Sequence, residues 1–136
     1  KIEDAPRPEE LEEADDVQYC YVFDDTLYDD LSMVEKLYTK NRHVQGGVSV
    51  FFLTQSYTKK TPIVIRQNAM YHIFLKTPSR KNQSLIYQEL GYNTTRERFS
   101  EMFNNATNNY GFFMIDLKTQ DPSKQYRKNW NHFYEP

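Results

Sequence analysis

Residues 17–23 (VQYCYVF) form an apolar run that stops on two adjacent carboxylates, Asp24 and Asp25, and passes at once into helical periodicity. A short continuous run of aromatic and β-branched residues bounded by charge reads as a buried strand with acids at its carboxyl end. From Asp24 or Asp25 onward, Leu27, Leu31, Val34, Leu37 and Tyr38 recur on one helical face, so a helix follows the strand. Gly46-Gly47 then break the chain, and VSVFFLTQ (48–55) is a second run of strand formers, continuous enough to expect cover on both faces. MYHIFL (70–75) is a third, reached through a connection containing Pro62. Strand, helix, strand, connection, strand is the rhythm of an open α/β sheet, and α/β is the fold class expected.

Beyond that, residues 94–107 carry Thr94 or Thr95 as an N-cap and Phe99, Met102, Phe103 and Ala106 on one face, which predicts a helix. GFFMIDL (111–117) is a last strand, and the remainder reads as a polar tail spotted with aromatics. Residues 1–16 hold eight carboxylates, two prolines and only Ile2 and Leu11 as sizeable apolar groups, so they are expected to be an acidic linker or a disordered segment. Residues 17–136 then make up the folded part. A chain of 136 residues suits one compact core, built here from eleven Tyr, nine Phe and one Trp.

Outside the acidic segment, 15 Lys and Arg face 11 Asp and Glu, a mild basic excess that permits a nucleic-acid partner without demanding one. Cys20 is the one cysteine, so no intrachain disulfide forms; its place in an apolar run predicts a buried, inert thiol and a reducing compartment. His43, His72 and His132 are too scattered for a metal site, and His72, mid-strand, reads as a core histidine. The chain has no apolar run of membrane-spanning length, no signal-peptide core and no lipidation motif, which points to a protein without a membrane segment. It begins on Lys1 rather than Met, as a fragment or processed product would.

Two constellations could carry chemistry. An apolar strand that delivers two acids at its end can hold Mg²⁺ through water with one and orient an attacking water with the other. The same pair is also a favourable helix start, where carboxylates meet the positive end of the helix dipole. The second constellation is Asn41-Arg42-His43 leading through Gly46-Gly47 into a strand that ends on Thr54-Gln55. A polar amide at a strand tip beside the acids can contact a γ-phosphate, and an arginine in the loop before it can reach a neighbouring subunit. Alternatively Arg42 is a solvated helix-end cation and Gln55 a strand-end polar residue. Lys76, Arg80 and Lys81 read either as a phosphate-contacting stretch or as a solvated turn. The tail, with Tyr126, Arg127, Lys128, Trp130, His132, Phe133 and Tyr134, suits docking of a single nucleic-acid strand or packing back on its own domain.

Taken in order, Val22-Phe23-Asp24-Asp25, Arg42-His43, Leu53-Thr54-Gln55 and Ile65-Arg66-Gln67-Asn68 resemble the Walker B, arginine and sensor elements of FtsK/HerA-superfamily genome-packaging ATPases of DNA viruses, virophages and related elements. Phe99, Ala106-Thr107, Tyr110-Gly111-Phe112-Phe113 and Ile115-Asp116 are similar to the C-terminal region of the viral branch, so the likeness runs over about residues 17–127. The resemblance implies part of a P-loop NTPase (ASCE/RecA-like) sheet with flanking helices, and a motor that couples ATP hydrolysis to moving double-stranded DNA into a capsid. It implies ATP and Mg²⁺ as cofactors and a homo-oligomeric ring working with capsid or portal vertex proteins, in the host cytoplasm, a virus factory or the virion. By the same likeness Asp24 serves Mg²⁺ through water and Asp25 the attacking water. Gln55 senses the γ-phosphate, and Arg42 or, as the weaker candidate, Arg66 acts across the subunit boundary.

One departure is large. A P-loop needs Gly-x-x-x-x-Gly-Lys-Ser/Thr so that backbone N–H groups cradle phosphate, and none of Gly46, Gly47, Gly91 and Gly111 is followed by Lys. Either the nucleotide-binding half has been removed or this half stands alone, and the chain by itself is expected neither to hydrolyse ATP nor to bind it tightly. Asn41-Arg42 also stands where the family often carries Gly-Arg. The alternative is a non-enzymatic capsid- or DNA-binding assembly module on an NTPase-like scaffold, with the acid pair only a helix start.

Overall fold

The computed structural model describes residues 18–25, 30–40, 48–57 and 61–136. It is a mixed α/β protein with small sheets, and its chain divides into two compact units, Lys1–Asn68 and Ala69–Pro136.

In the first unit, strand β1 (Tyr19–Asp24) and strand β2 (Val48–Leu53) pair in parallel, with Tyr19 opposite Val48 and Asp24 opposite Leu53. Helix α1 (Ser32–Lys40) and the short helix α2 (Ile63–Asn68) complete the unit. Tyr21, Phe23, Val34, Leu37 and Ile65 are its buried cluster, flanked by Val48, Val50 and Phe52. Asp30 caps α1 by accepting the N–H of Ser32 at 3.0 Å, and that bond holds its carboxyl below the usual range. The helix does not start at Asp24 or Asp25 as the pattern suggests. Asp25 sits at φ 52°, a left-handed conformation that ends the strand and that aspartate tolerates, and α1 starts at Ser32. Leu27 lies outside the described residues.

Both strands alternate in exposure, contrary to the expectation of cover on both faces. Tyr21, Phe23, Val50 and Phe52 turn inward, whereas Val22 and Phe51 are 60% and 51% exposed. Cys20 shares this outer face and is exposed, not buried: an apolar sequence run says nothing of which face finds a partner.

The third strand does not extend the parallel pair. In the second unit β3 (Tyr71–Phe74) is instead the edge of an antiparallel sheet ordered β3-β4-β5-β6, with β4 (Phe113–Asp116), β5 (Tyr126–Lys128) and β6 (His132–Tyr134). The polar tail is thus two strands of a hairpin. Two helices precede β4. Helix α4 (Arg96–Ala106) starts, as read, on Thr95, whose hydroxyl accepts the N–H of Arg98 at 3.2 Å. Helix α3 (Arg80–Leu90) was not anticipated; Ser79 caps it by accepting the N–H of Asn82, and Arg80-Lys81 form its first turn rather than a loop. Only Ile86 and Leu90 are buried along it, so its apolar stripe is too thin to stand out in the sequence.

Phe99 centres the second core. Its ring lies edge-on to Tyr87, Phe113 and Tyr126 at centroid distances of 5.5, 5.4 and 6.0 Å, the arrangement that ring quadrupoles favour. His72 is buried mid-strand, as the sequence suggested, and stacks on Phe74. Gly111 admits no side chain, because a Cβ there would run into the carbonyl of Ala106.

Candidate functional site

Parallel, in-register pairing brings the carboxyl ends of β1 and β2 to one edge. The last rung joins Asp24 to Leu53, and the N–H of Asp25 donates to the Leu53 carbonyl at 3.4 Å. Asp24, Asp25, Thr54 and Gln55 therefore emerge side by side from adjacent strands, all exposed. Asp24 belongs by alternation to the outer face with Cys20 and Val22, and Asp25 turns off the sheet through its left-handed φ. Two strands of unlike sequence thus concentrate two carboxylates and an amide where α/β sheets place ligands.

The loop that follows Gln55 is held by its own hydroxyls. Thr54 Oγ1 accepts the N–H of Ser56 at 3.1 Å, and Thr61 Oγ1 donates to the Ser56 carbonyl at 2.6 Å. Arg66, on α2, reaches back into this loop: its Nε donates to the Thr61 carbonyl at 3.2 Å, and its guanidinium lies 5.3 Å from the centroid of Tyr57. These contacts make Arg66 a clamp on the chain leaving β2. In the reading from sequence Thr54 has no part in a turn and neither Ser56 nor Thr61 is singled out; the hydroxyl spacing in Thr54-Gln55-Ser56 is the legible signal of such a turn. Arg42 and His43 lie outside the described residues.

Among the described residues no three His, Cys, Asp or Glu side chains group as a metal cage. Mg²⁺ keeps several waters and takes one or two carboxylates plus phosphate oxygens, so the adjacent Asp24 and Asp25 fit that ion. A nucleotide's phosphates would need backbone donors from elsewhere, since the sequence lacks a Gly-Lys-Ser/Thr cradle. Among the described residues no helix is long and apolar enough to cross a membrane.

No family model, curated protein or solved structure matches this chain.

Proposed function

We propose that this chain is the C-terminal part of a genome-packaging ATPase of the FtsK/HerA type, which drives double-stranded DNA into a capsid. One observation carries the reading: a parallel strand pair presents Asp24, Asp25 and Gln55 together at one carboxyl edge. In this reading Asp24 holds Mg²⁺ through water, Asp25 orients the water that attacks the γ-phosphate, and Gln55 contacts that phosphate. Phosphoryl transfer asks the protein mainly for positioning and charge stabilisation, which short side chains at a rigid strand end supply. The role across the subunit boundary goes to Arg42, since Arg66 would have to leave Thr61 and Tyr57 to perform it. The P-loop, the ring and the capsid or portal contacts belong to the rest of the assembly.

The test mixes two variants of the full-length protein, Asp25→Asn and Arg42→Ala. Each alone should lower turnover by about a hundredfold or more while ATP still binds, because ground-state contacts come mostly from the P-loop and Mg²⁺. In mixed rings an Asp25→Asn subunit lends its intact Arg42 to the intact acids of its Arg42→Ala neighbour, and activity should partly return. Mixed rings that form and stay inactive remove Arg42 from the trans role. Loss of ATP affinity with unchanged turnover in Asp25→Asn removes the water-orienting role.

A further inference from the structure

Strand β2 ends at Leu53, so the ladder that fixes Asp24 does not reach Gln55, which lies past the strand end and is exposed. A glutamine side chain is long and flexible, and its amide meets a fixed point in space only if the backbone beneath it is held. Here a run of hydrogen bonds supplies that hold. Thr54 Oγ1 accepts the Ser56 N–H at 3.1 Å and donates to the Ser56 carbonyl at 3.2 Å, which sets Gln55 at the apex of a turn closed by a hydroxyl. The same carbonyl accepts Thr61 Oγ1 at 2.6 Å, and the Thr61 carbonyl accepts Arg66 Nε at 3.2 Å. Thr61 is buried, so water competes poorly for its bond to Ser56.

Arg66 is anchored in turn. It follows Ile65, which is buried with Tyr21 and Phe23 of β1, the strand that ends on Asp24. Its guanidinium lies 5.3 Å from the Tyr57 ring centroid while its Nε holds Thr61, so it grips the chain leaving β2 at two points. One core therefore supports both sides of the carboxyl edge. It carries Asp24 directly through β1, and Gln55 through α2, Arg66, Thr61 and Ser56.

We propose that Thr54, Thr61 and Arg66 are positioning residues that aim Gln55 at the γ-phosphate. This rests on the role given to Gln55 above and adds what holds that side chain in place. Misplacing a group by about 1 Å can slow a reaction by about a hundredfold, so a loosened turn acts on turnover. ATP affinity is untouched, because the P-loop and Mg²⁺ supply most ground-state contacts. A lysine cannot replace Arg66, since a compact ammonium cannot donate to Thr61 and also lie flat over Tyr57.

The hydrogen-bond run is tested in this chain and its consequence in the full-length protein. In this chain, exchange of the Ser56 amide hydrogen should quicken about tenfold in the isosteric Thr61→Val. It should stay unchanged in Thr61→Ser, which keeps the hydroxyl, and in Thr39→Val, which removes a hydroxyl bonded within α1. In the full-length protein Thr61→Val and Arg66→Lys should each lower kcat about tenfold with the dissociation constant for ATP unchanged, while Thr61→Ser retains activity. Gln55→Ala should lower kcat about a hundredfold, and adding Thr61→Val to it should bring no further loss, because groups that act through one another are not additive. Circular dichroism melts confirm that each variant is folded. Unchanged Ser56 exchange in Thr61→Val overturns the proposal, as does weakened ATP binding in place of slowed turnover, or an equal loss from Thr61→Val with and without Gln55. A silent Thr61→Val beside an impaired Gln55→Ala overturns the positioning role alone. Full turnover in Gln55→Ala removes the role of Gln55 itself and the positioning role with it.

Discussion

The two units solve the same problem, burying apolar strands, with different completeness. In Ala69–Pro136 four antiparallel strands pair neighbour to neighbour in an open sheet, and helix α4 locks one face with interleaved rings. In Lys1–Asn68 two parallel strands stand with one face against α1 and α2 and the other bearing exposed Val22, Phe51 and Leu53. Parallel strands are normally covered on both faces, whereas an antiparallel sheet tolerates one open side. The first unit also carries 13 Asp and Glu against eight Lys and Arg, the reverse of the second. The contrast teaches that the first unit presents a carboxylate-bearing strand edge and an uncovered apolar face, whereas the second packs its rings between sheet and helix.

The largest effect that would break this comparison lies in the second core. Phe99→Ala removes a ring that is 1% exposed and packs against four others, and should cost about 3–5 kcal/mol in urea unfolding. A loss under about 1 kcal/mol, the scale of ordinary surface changes, would mean that this core is not the interlocked one described.

Alkaline titration should show an intermediate effect in both units. Tyr38 in the first and Tyr126 in the second are each pushed up to about 12, chiefly by burial. A phenol whose folded value lies above its unfolded value of about 10 stabilises the fold fully below pH 10. That contribution is lost as pH rises from 10 to about 12. For Tyr126, which is 0% exposed, the loss should be on the order of 2 kcal/mol. Phenolate absorbance measured alongside unfolding should show Tyr38 and Tyr126 ionising late, with Tyr134, which burial also pushes up, above the ordinary phenol value. Eleven titrating together near pH 10 would contradict the burial of both.

The smallest effect sharpens the contrast most. Phe51→Ser on the outer face of β2 should change the stability of this chain by no more than about 0.5 kcal/mol, since its ring is half exposed. Repeated in the full-length protein, the same substitution should cost several times more if that face is covered there. A large loss in the isolated chain would show that the face is already packed.

Several features were legible because they depend on near neighbours. The strand ending on Asp24, the strand before Thr54-Gln55, the Thr95 cap and the buried His72 each follow from a run, a spacing or a capping hydroxyl within a few residues. The edge that gathers Asp24, Asp25 and Gln55 was legible only in part. Their strand-end positions came from the sequence, but their adjacency needed the parallel register of β1 on β2. Arg66 shows the limit most clearly: its chemistry is plain from its name, yet its tie to Thr61 and Tyr57 comes from how α2 folds back on the loop.

The sequence by itself determined where the chain would extend, where it would coil, and which carboxylates would end a strand, because backbone propensity and side-chain period act over a few residues. Tertiary structure alone decided that the 70–75 strand joins Phe113–Asp116 rather than the first pair, that the tail becomes a hairpin, and that Cys20 faces outward. Those outcomes rest on which apolar faces meet across long stretches of chain. A run such as VQYCYVF is equally apolar whether one face or both find a partner.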